Sequence, residues 1–184
     1  MIARAGVKYF WFGLASGILV ASTPVIAKSL DYPADNAEFY LEVSNDYKTK
    51  VNPDRSIIGI GPKEVIALTS MKDIKNKASA KSALPELAKK FFSQTLLFQE
   101  FQVQGIADGK ITREGGGDLA VMVLTASGRN SDGREIAITA TTFASEQGHY
   151  FIFFTAARPE DNEDASKTSR TILGTMTAAT NEED

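Results

Sequence analysis

The chain has 184 residues, of which 43% are hydrophobic and 23% charged, a balance typical of one globular domain with a sizeable core. Its formal net charge of −3 excludes a broad basic surface, and with it a general nucleic-acid-binding role. The absence of cysteine excludes disulfides, thiolate metal sites and a cysteine nucleophile. Because His149 is the single histidine, a two-histidine metal site is also excluded, and we expect neither a cofactor nor a metal.

The first 27 residues have the three parts of a secretory signal peptide. Arg4 and Lys8 form a basic start, residues 9–27 carry no charge, and the run ends in small residues up to Ala27. We expect cleavage near Ala27 and a periplasmic or luminal location. The alternative is a membrane anchor over residues 9–27, because these 19 uncharged residues are near the length that spans a bilayer.

The next part of the chain is a polar segment followed by short predicted strands. Residues 28–36 are polar and turn-rich, which predicts a tether before the domain. Residues 38–43 then predict a strand. The stretches SIIGIG and EVIALTSM, rich in β-branched residues, predict a pair of strands around Gly61-Pro62.

A lysine-rich connector over residues 72–82 leads into the clearest helical pattern, residues 82–97. Its apolar residues Leu84, Leu87 and Phe91 recur at helical spacing and predict one buried face. Ser82 is the expected N-cap, which would place Pro85 in the first turn, where proline costs little.

From residue 98 the apolar period returns to two, which predicts a meander of four strands. Between these strands, EGGGD predicts a hairpin or bulge connection and NSDG a type I′ hairpin turn around Asp132-Gly133. The two stretches lack the residues of phosphate-binding or calcium-binding loops. The last strand, HYFIFF, is apolar on both faces and predicts a central position. A terminal helix follows an acidic stretch, and residues 179–184 predict a disordered acidic tail.

The order of these elements, and above all the hairpin DGREIAITATTFASEQGHYFIFFTAARPED that runs straight into a helix, resembles the Mog1/PsbP-like superfamily. That superfamily includes photosystem II extrinsic proteins and a Ran-binding nuclear-transport factor. The resemblance covers residues 37–178 and implies an α+β fold, an antiparallel sheet of six to seven strands sandwiched between helices. It also implies a protein that works by binding a larger assembly, although function does not transfer on fold alone.

One charged surface stands out as a candidate partner-docking site. Residues 72–90 carry six lysines against Asp73 and Glu86, a local charge of +4 in an acidic protein. Such an asymmetry steers association with an acidic partner or with anionic lipid headgroups, whereas a plain solvated surface is the alternative. The candidate residues are Lys72, Lys75, Lys77, Lys81, Lys89 and Lys90.

No stretch of the sequence has a catalytic signature, since no serine lies in a nucleophile elbow and the carboxylates 160–164 form a solvated helix start. The sequence therefore predicts a non-enzymatic, exported binding or assembly-accessory protein. Its expected partner is a larger envelope or membrane protein assembly, or an anionic membrane surface, and its oligomeric state stays open. The alternative is a small-ligand-binding or enzymatic domain with a pocket between the sheet and a helix.

Overall fold

The computed structural model describes residues 27–95 and 97–179. The predicted signal peptide, except Ala27, and the predicted acidic tail, except Ala179, lie outside the described residues. Within the described ranges, no helix is long and apolar enough to cross a membrane.

Two helices and ten strands occur in this part of the chain. The helices are α1 (Lys77–Thr95) and α2 (Asn162–Gly174), and a 3-10 turn, Pro159–Asp161, leads into the second. The strands are β1 (Ala27–Tyr32), β2 (Phe39–Ser44), β3 (Lys48–Val51), β4 (Ile57–Ile60), β5 (Glu64–Ser70), β6 (Gln99–Thr112), β7 (Asp118–Arg129), β8 (Glu135–Ala144), β9 (Tyr150–Ala157) and β10 (Thr177–Ala178).

Seven of these strands form one antiparallel sheet in the order β3-β4-β5-β9-β8-β7-β6. The meander β6–β9 was predicted from the period of two, and the structure confirms it. Strand β9 lies between β5 and β8, and residues 151–157 are all buried. Its central position explains why HYFIFF is apolar on both faces.

The large sheet is covered on both faces, which confirms the predicted α+β sandwich. One face packs against α1 around Leu84, Phe92 and Phe154. The other face packs against α2 and a small antiparallel sheet of order β1-β2-β10, around Phe39 and Phe151. Alternation along each strand separates the two cores, because successive side chains point to opposite faces.

Helix α1 begins earlier than the sequence indicated. Its first residue is Lys77, and the side-chain oxygen of Asn76 accepts a hydrogen bond from the backbone N–H of Ser79 at 2.9 Å, so Asn76 and not Ser82 is the N-cap. Pro85 consequently lies inside the helix. The extra turns form because Ala80 is fully buried against the sheet, a contact that the surrounding lysines hide in the sequence.

Three strands were missed, and the predicted tether over residues 28–36 is wrong in its first half. Residues 27–32 form β1, which pairs with β2 from Ala27↔Ser44 to Tyr32↔Phe39. Strand β3 lies in a segment predicted as a loop, and β10 has only two residues. Strand β10 pairs with β2, which is far away in the chain, whereas β1 and β3 each pair with the next strand and were missed because both segments are rich in polar residues.

The β7–β8 turn also differs from expectation. The type I′ turn expected there needs two residues of positive φ, but Gly133 alone has one, at 76°. The backbone N–H of Gly133 donates to the carbonyl of Asn130 at 2.9 Å, and the Asn130 N–H donates to the carbonyl of Arg134 at 3.0 Å. This pattern is that of a type I turn followed by a glycine bulge.

A buried tyrosine fixes the β3–β5 corner of the large sheet. Tyr47 packs over β4, and its hydroxyl donates to the carboxylate of the buried Glu64. An added Cβ at Gly61 would lie 2.7 Å from the Tyr47 ring, so only glycine fits beneath it. Burial, and secondarily the bond to Glu64, raises the pKa of Tyr47 well above its ordinary value.

Candidate functional site

The six candidate lysines, hereafter the lysine face, lie on α1 and the segment before it. All six side chains are exposed. Lys77, Lys81, Lys89 and Lys90 belong to α1 itself, so the predicted connector over residues 72–82 is helical from residue 77 onward.

Within the described residues, two of the six lysines of the lysine face form ion pairs. Asp108 of β6 lies 2.7 Å from the Lys77 ammonium and 3.8 Å from that of Lys81. A hydrogen bond from Lys77 holds the pKa of Asp108 below its usual range. Within the described residues no ion pair reaches the other four lysines, so they carry the net positive charge of the face.

Two of these four unpaired lysines border a groove between α1 and β5. Lys72 and Lys90 line it together with Leu87 and Phe91, and the groove has a volume of about 300 Å³. Asp54 also lines it, but its carboxylate accepts hydrogen bonds from the backbone N–H and hydroxyl of Ser56 at 3.0 and 2.7 Å. The groove therefore offers an apolar floor, two cationic groups and one carboxylate already engaged by its own loop.

A second cluster joins Ser145, Glu38 and His149, and sequence reasoning missed its central member. The Ser145 hydroxyl donates to Glu38 Oε2 at 2.6 Å, and His149 Nδ1 lies 2.8 Å from Glu38 Oε1. A hydrolytic triad needs the histidine between the nucleophile and the acid, whereas here the carboxylate is in the middle. The cluster instead ties the β8–β9 turn to the start of β2.

Little in the sequence indicates that Glu38 contacts Ser145 and His149. It lies 107 residues before Ser145 and 111 before His149, so no local spacing links them. Glu146 is the acid nearest to His149 along the chain, but it lies 3.5 Å from Arg113 instead. No group of three His, Asp or Glu side chains within residues 27–95 and 97–179 is arranged to hold a metal ion.

The acidic stretch before α2 is engaged in ion pairs. Asp161 is buried and lies 2.8 Å from the Arg158 guanidinium. Asp164 lies 2.8 Å from Lys63, and Glu163 lies 2.8 Å from Lys167 one helical turn on. The N-cap residue Asp161 makes no side-chain cap hydrogen bond to α2, so these carboxylates act at the helix start through their ion pairs and through the helix dipole.

Comparison with solved structures finds proteins of similar fold. Cyanobacterial PsbP (CyanoP) from Synechocystis sp. PCC 6803 aligns over 86% of this chain and 96% of its own, with a TM-score of 0.59 and 9% identity. The chain has a PsbP-like fold. At that identity the similarity establishes architecture and not activity.

Two further structures align with lower scores. Protein PA94 of unknown function from Pseudomonas aeruginosa matches 84% of this chain and 98% of its own, with a TM-score of 0.46 and 12% identity. LpqN of Mycobacterium tuberculosis, which is involved in cell envelope biogenesis, matches 86% and 93%, with a TM-score of 0.41 and 15% identity. No protein-family model matches the sequence, and no curated protein matches it.

Proposed function

We propose that this chain is an exported, non-enzymatic accessory protein that docks onto an acidic surface of a larger envelope protein assembly through the lysine face. The observation that carries the proposal is the unpaired positive charge of Lys72, Lys75, Lys89 and Lys90 in a protein of net charge −3. Charges of this kind speed encounter with an oppositely charged partner.

The groove beside α1 favours a protein as the partner over a lipid surface. Its floor includes Leu87 and Phe91, and its cationic groups are Lys72 and Lys90. A peptide segment with an apolar side chain next to an acidic one would match both features. Anionic headgroups would engage the lysines and leave the apolar floor unused.

The test compares two double variants with the same change of charge. Lys72→Gln/Lys90→Gln removes the cations at the groove, whereas Lys77→Gln/Lys81→Gln removes the two that Asp108 already holds. Tagged full-length chains are used to capture proteins from solubilised native membranes, and quantitative mass spectrometry compares the captured sets.

We expect wild type to capture an acidic partner and Lys72→Gln/Lys90→Gln to lose it. Lys77→Gln/Lys81→Gln should lose the same partner to a smaller extent. Raising the salt concentration should weaken the same capture, since the Debye length is about 8 Å at physiological ionic strength. Identical captured sets for all three chains would refute the proposal. Loss of binding to phosphatidylglycerol vesicles, with no change in captured proteins, would assign the lysine face to the membrane surface instead.

Export is the second part of the proposal, and it rests on the tripartite pattern of residues 1–27. N-terminal sequencing of the native protein should begin at or near Lys28. Recovery of a chain that starts at Met1 in the membrane fraction would replace the cleaved signal with a retained anchor over residues 9–27.

A further inference from the structure

A cavity of about 290 Å³ lies between α2 and strands β6–β8, on the face of the large sheet opposite to the lysine face. Hydroxyl groups dominate its polar lining: Thr125, Thr139 and Thr141 on the sheet, and Ser166 and Ser169 on α2. Two cationic residues also line it, Arg170 of α2 and Lys110 of β6, and the ammonium of Lys110 lies 2.8 Å from Asp118. The volume is at the small end of the range for ligand sites.

The hydroxyls interrupt a sheet face that is otherwise an apolar core. Further along the same face, Phe143, Phe151 and Phe153 are buried against the small sheet. Towards the cavity, Thr125, Thr139 and Thr155 stand directly opposite one another on β7, β8 and β9. The side chains on this face thus change from aromatic rings to hydroxyls at the cavity.

Part of this hydroxyl set has a structural role. The hydroxyls of Thr155 and Ser169 are hydrogen-bonded to each other, and Ser169 also donates to the carbonyl of Ala165 at 3.0 Å. Both side chains are buried, so the pair satisfies itself while it fixes α2 on β9.

Thr141 has no comparable structural explanation. It is 4% exposed, and its cross-strand neighbours are Val123 and Phe153, both apolar. Among the described residues, hydrogen bonds engage the hydroxyls of Thr155 and Ser169 but not that of Thr141. Thr141 lines the cavity and its hydroxyl is not fully enclosed, so it is available to a ligand there.

A glycine, Gly109 of β6, also lines the cavity. Gly109 of β6 stands opposite Val121, and an added Cβ there would lie 3.5 Å from the Val121 methyl, an ordinary contact. Packing therefore does not require glycine at this position, although glycine weakens a strand. Glycine inside a strand is common where a ligand approaches the backbone closely.

Arg170 determines the charge of a matching ligand. Nearby acids on α2 are already paired, Glu163 with Lys167 and Asp164 with Lys63, whereas no ion pair to Arg170 occurs among the described residues. A guanidinium binds carboxylate and phosphate groups through paired hydrogen bonds, and hydroxyls can donate to the same oxygens. We propose that this cavity binds a small organic molecule bearing an oxyanion, held by Arg170 and the hydroxyls of Thr139 and Thr141.

The binding test uses two pairs of probes that differ only in the anionic group: glycerol 3-phosphate against glycerol, and glycolate against ethylene glycol. Two-dimensional NMR of the full chain should show shifts at Thr139, Thr141 and Ser166 with the charged member of at least one pair. The pair that responds distinguishes a phosphate from a carboxylate ligand. No shift at these residues with either anion at concentrations on the order of 10 mM, or equal shifts with the neutral members, would overturn the proposal.

Matched variants locate the site and separate binding from folding. Arg170→Gln should weaken binding about tenfold, whereas Arg134→Gln, an exposed arginine in the β7–β8 turn, should leave it unchanged. Gly109→Val should abolish binding by filling the cavity, and Ala120→Val, on the other face of β7, should not. Equal effects within either pair would overturn the proposal.

Thr141→Val separates a ligand-binding hydroxyl from a structural one. If the hydroxyl serves a ligand, the variant should bind more weakly and unfold at nearly the same temperature, because the removed hydroxyl faces the cavity and makes no hydrogen bond within the described residues. If the hydroxyl serves the fold, the variant should unfold at a lower temperature with unchanged binding. The second result would remove Thr141 from the site and contradict the proposal.

Discussion

The packing of α1 on the sheet is tested by replacing Phe91 with alanine. The ring is 9% exposed and is stacked on Phe154, with centroids 4.5 Å apart and planes 12° apart. Truncation of a buried phenylalanine costs about 3–5 kcal/mol. Because Phe91 also lines the groove, water can enter part of the space that the ring leaves. We therefore expect the free energy of unfolding to fall by about 3 kcal/mol.

Phe92→Ala is the comparison variant, with a larger expected loss in the free energy of unfolding, and Lys89→Ala is the control. Phe92 is fully buried and contacts four other rings, so its loss should approach about 5 kcal/mol. Lys89 is exposed on the same helix, and its loss should stay within about 0.5 kcal/mol.

The assay is urea unfolding followed by circular dichroism. With a slope of about 2 kcal/mol per molar urea, Phe91→Ala should lower the unfolding midpoint by about 1.5 M and leave the slope unchanged. Equal midpoints for Phe91→Ala and Lys89→Ala would refute the assigned face of α1. A loss larger for Phe91 than for Phe92 would refute the argument that the groove relieves the cavity.

Three further predictions concern glycine and ionisable groups. Gly61→Ala should displace the Tyr47 ring and lower the free energy of unfolding by about 1–3 kcal/mol, whereas Gly115→Ala, with open space around it, should have little effect in the same urea assay. Burial raises the pKa of Tyr47, so its contribution to the free energy of unfolding is complete below about pH 10 and is lost as pH rises further. Burial also raises the pKa of Tyr32, so a tyrosinate absorbance titration should show two late-ionising tyrosines, of which Tyr47→Phe removes one. Hydrogen bonds from lysine partners lower the pKa of Asp108 and Asp164. The stabilisation of the fold by these two carboxylates is therefore complete above about pH 4 and is lost as pH falls through the lowered pKa values. NMR titration of the carboxyl carbons measures these pKa values.

The sequence predicted the elements whose burial follows a regular period. Strand β8 alternates between the two cores, with Ile138 and Ala140 on the α1 side and Thr141 and Phe143 on the other. The middle of α1 was predicted for the same reason, since Leu84 and Phe91 recur at helical spacing and are buried. In each case the local pattern and the tertiary contact agree.

Features set by contacts with other segments could not be predicted in this way. Strand β1 alternates only weakly, and its place depends on pairing with β2 and on a 2.6 Å hydrogen bond from the Lys28 ammonium to the carbonyl of Tyr47. The charge of the lysine face was overestimated for a related reason, because Asp108 reaches Lys77 from a strand about thirty residues later in the chain. Both features depend on contacts with other segments, which the weak pattern of β1 and the spacing of the lysines do not encode.

The large sheet separates the two proposed sites. Asp108 of β6 pairs with lysines of α1 on one face, while the next residue, Gly109, lines the hydroxyl cavity on the other. Successive residues of a strand point to opposite faces, so a change of side chain on one face need not move the other. Substitutions without shared contacts usually add within about 0.5 kcal/mol. In a chain that combines Lys72→Gln with Arg170→Gln, partner capture should therefore fall as far as in Lys72→Gln alone, and anion binding as far as in Arg170→Gln alone. A larger loss of either would show that the two sites are coupled through the sheet.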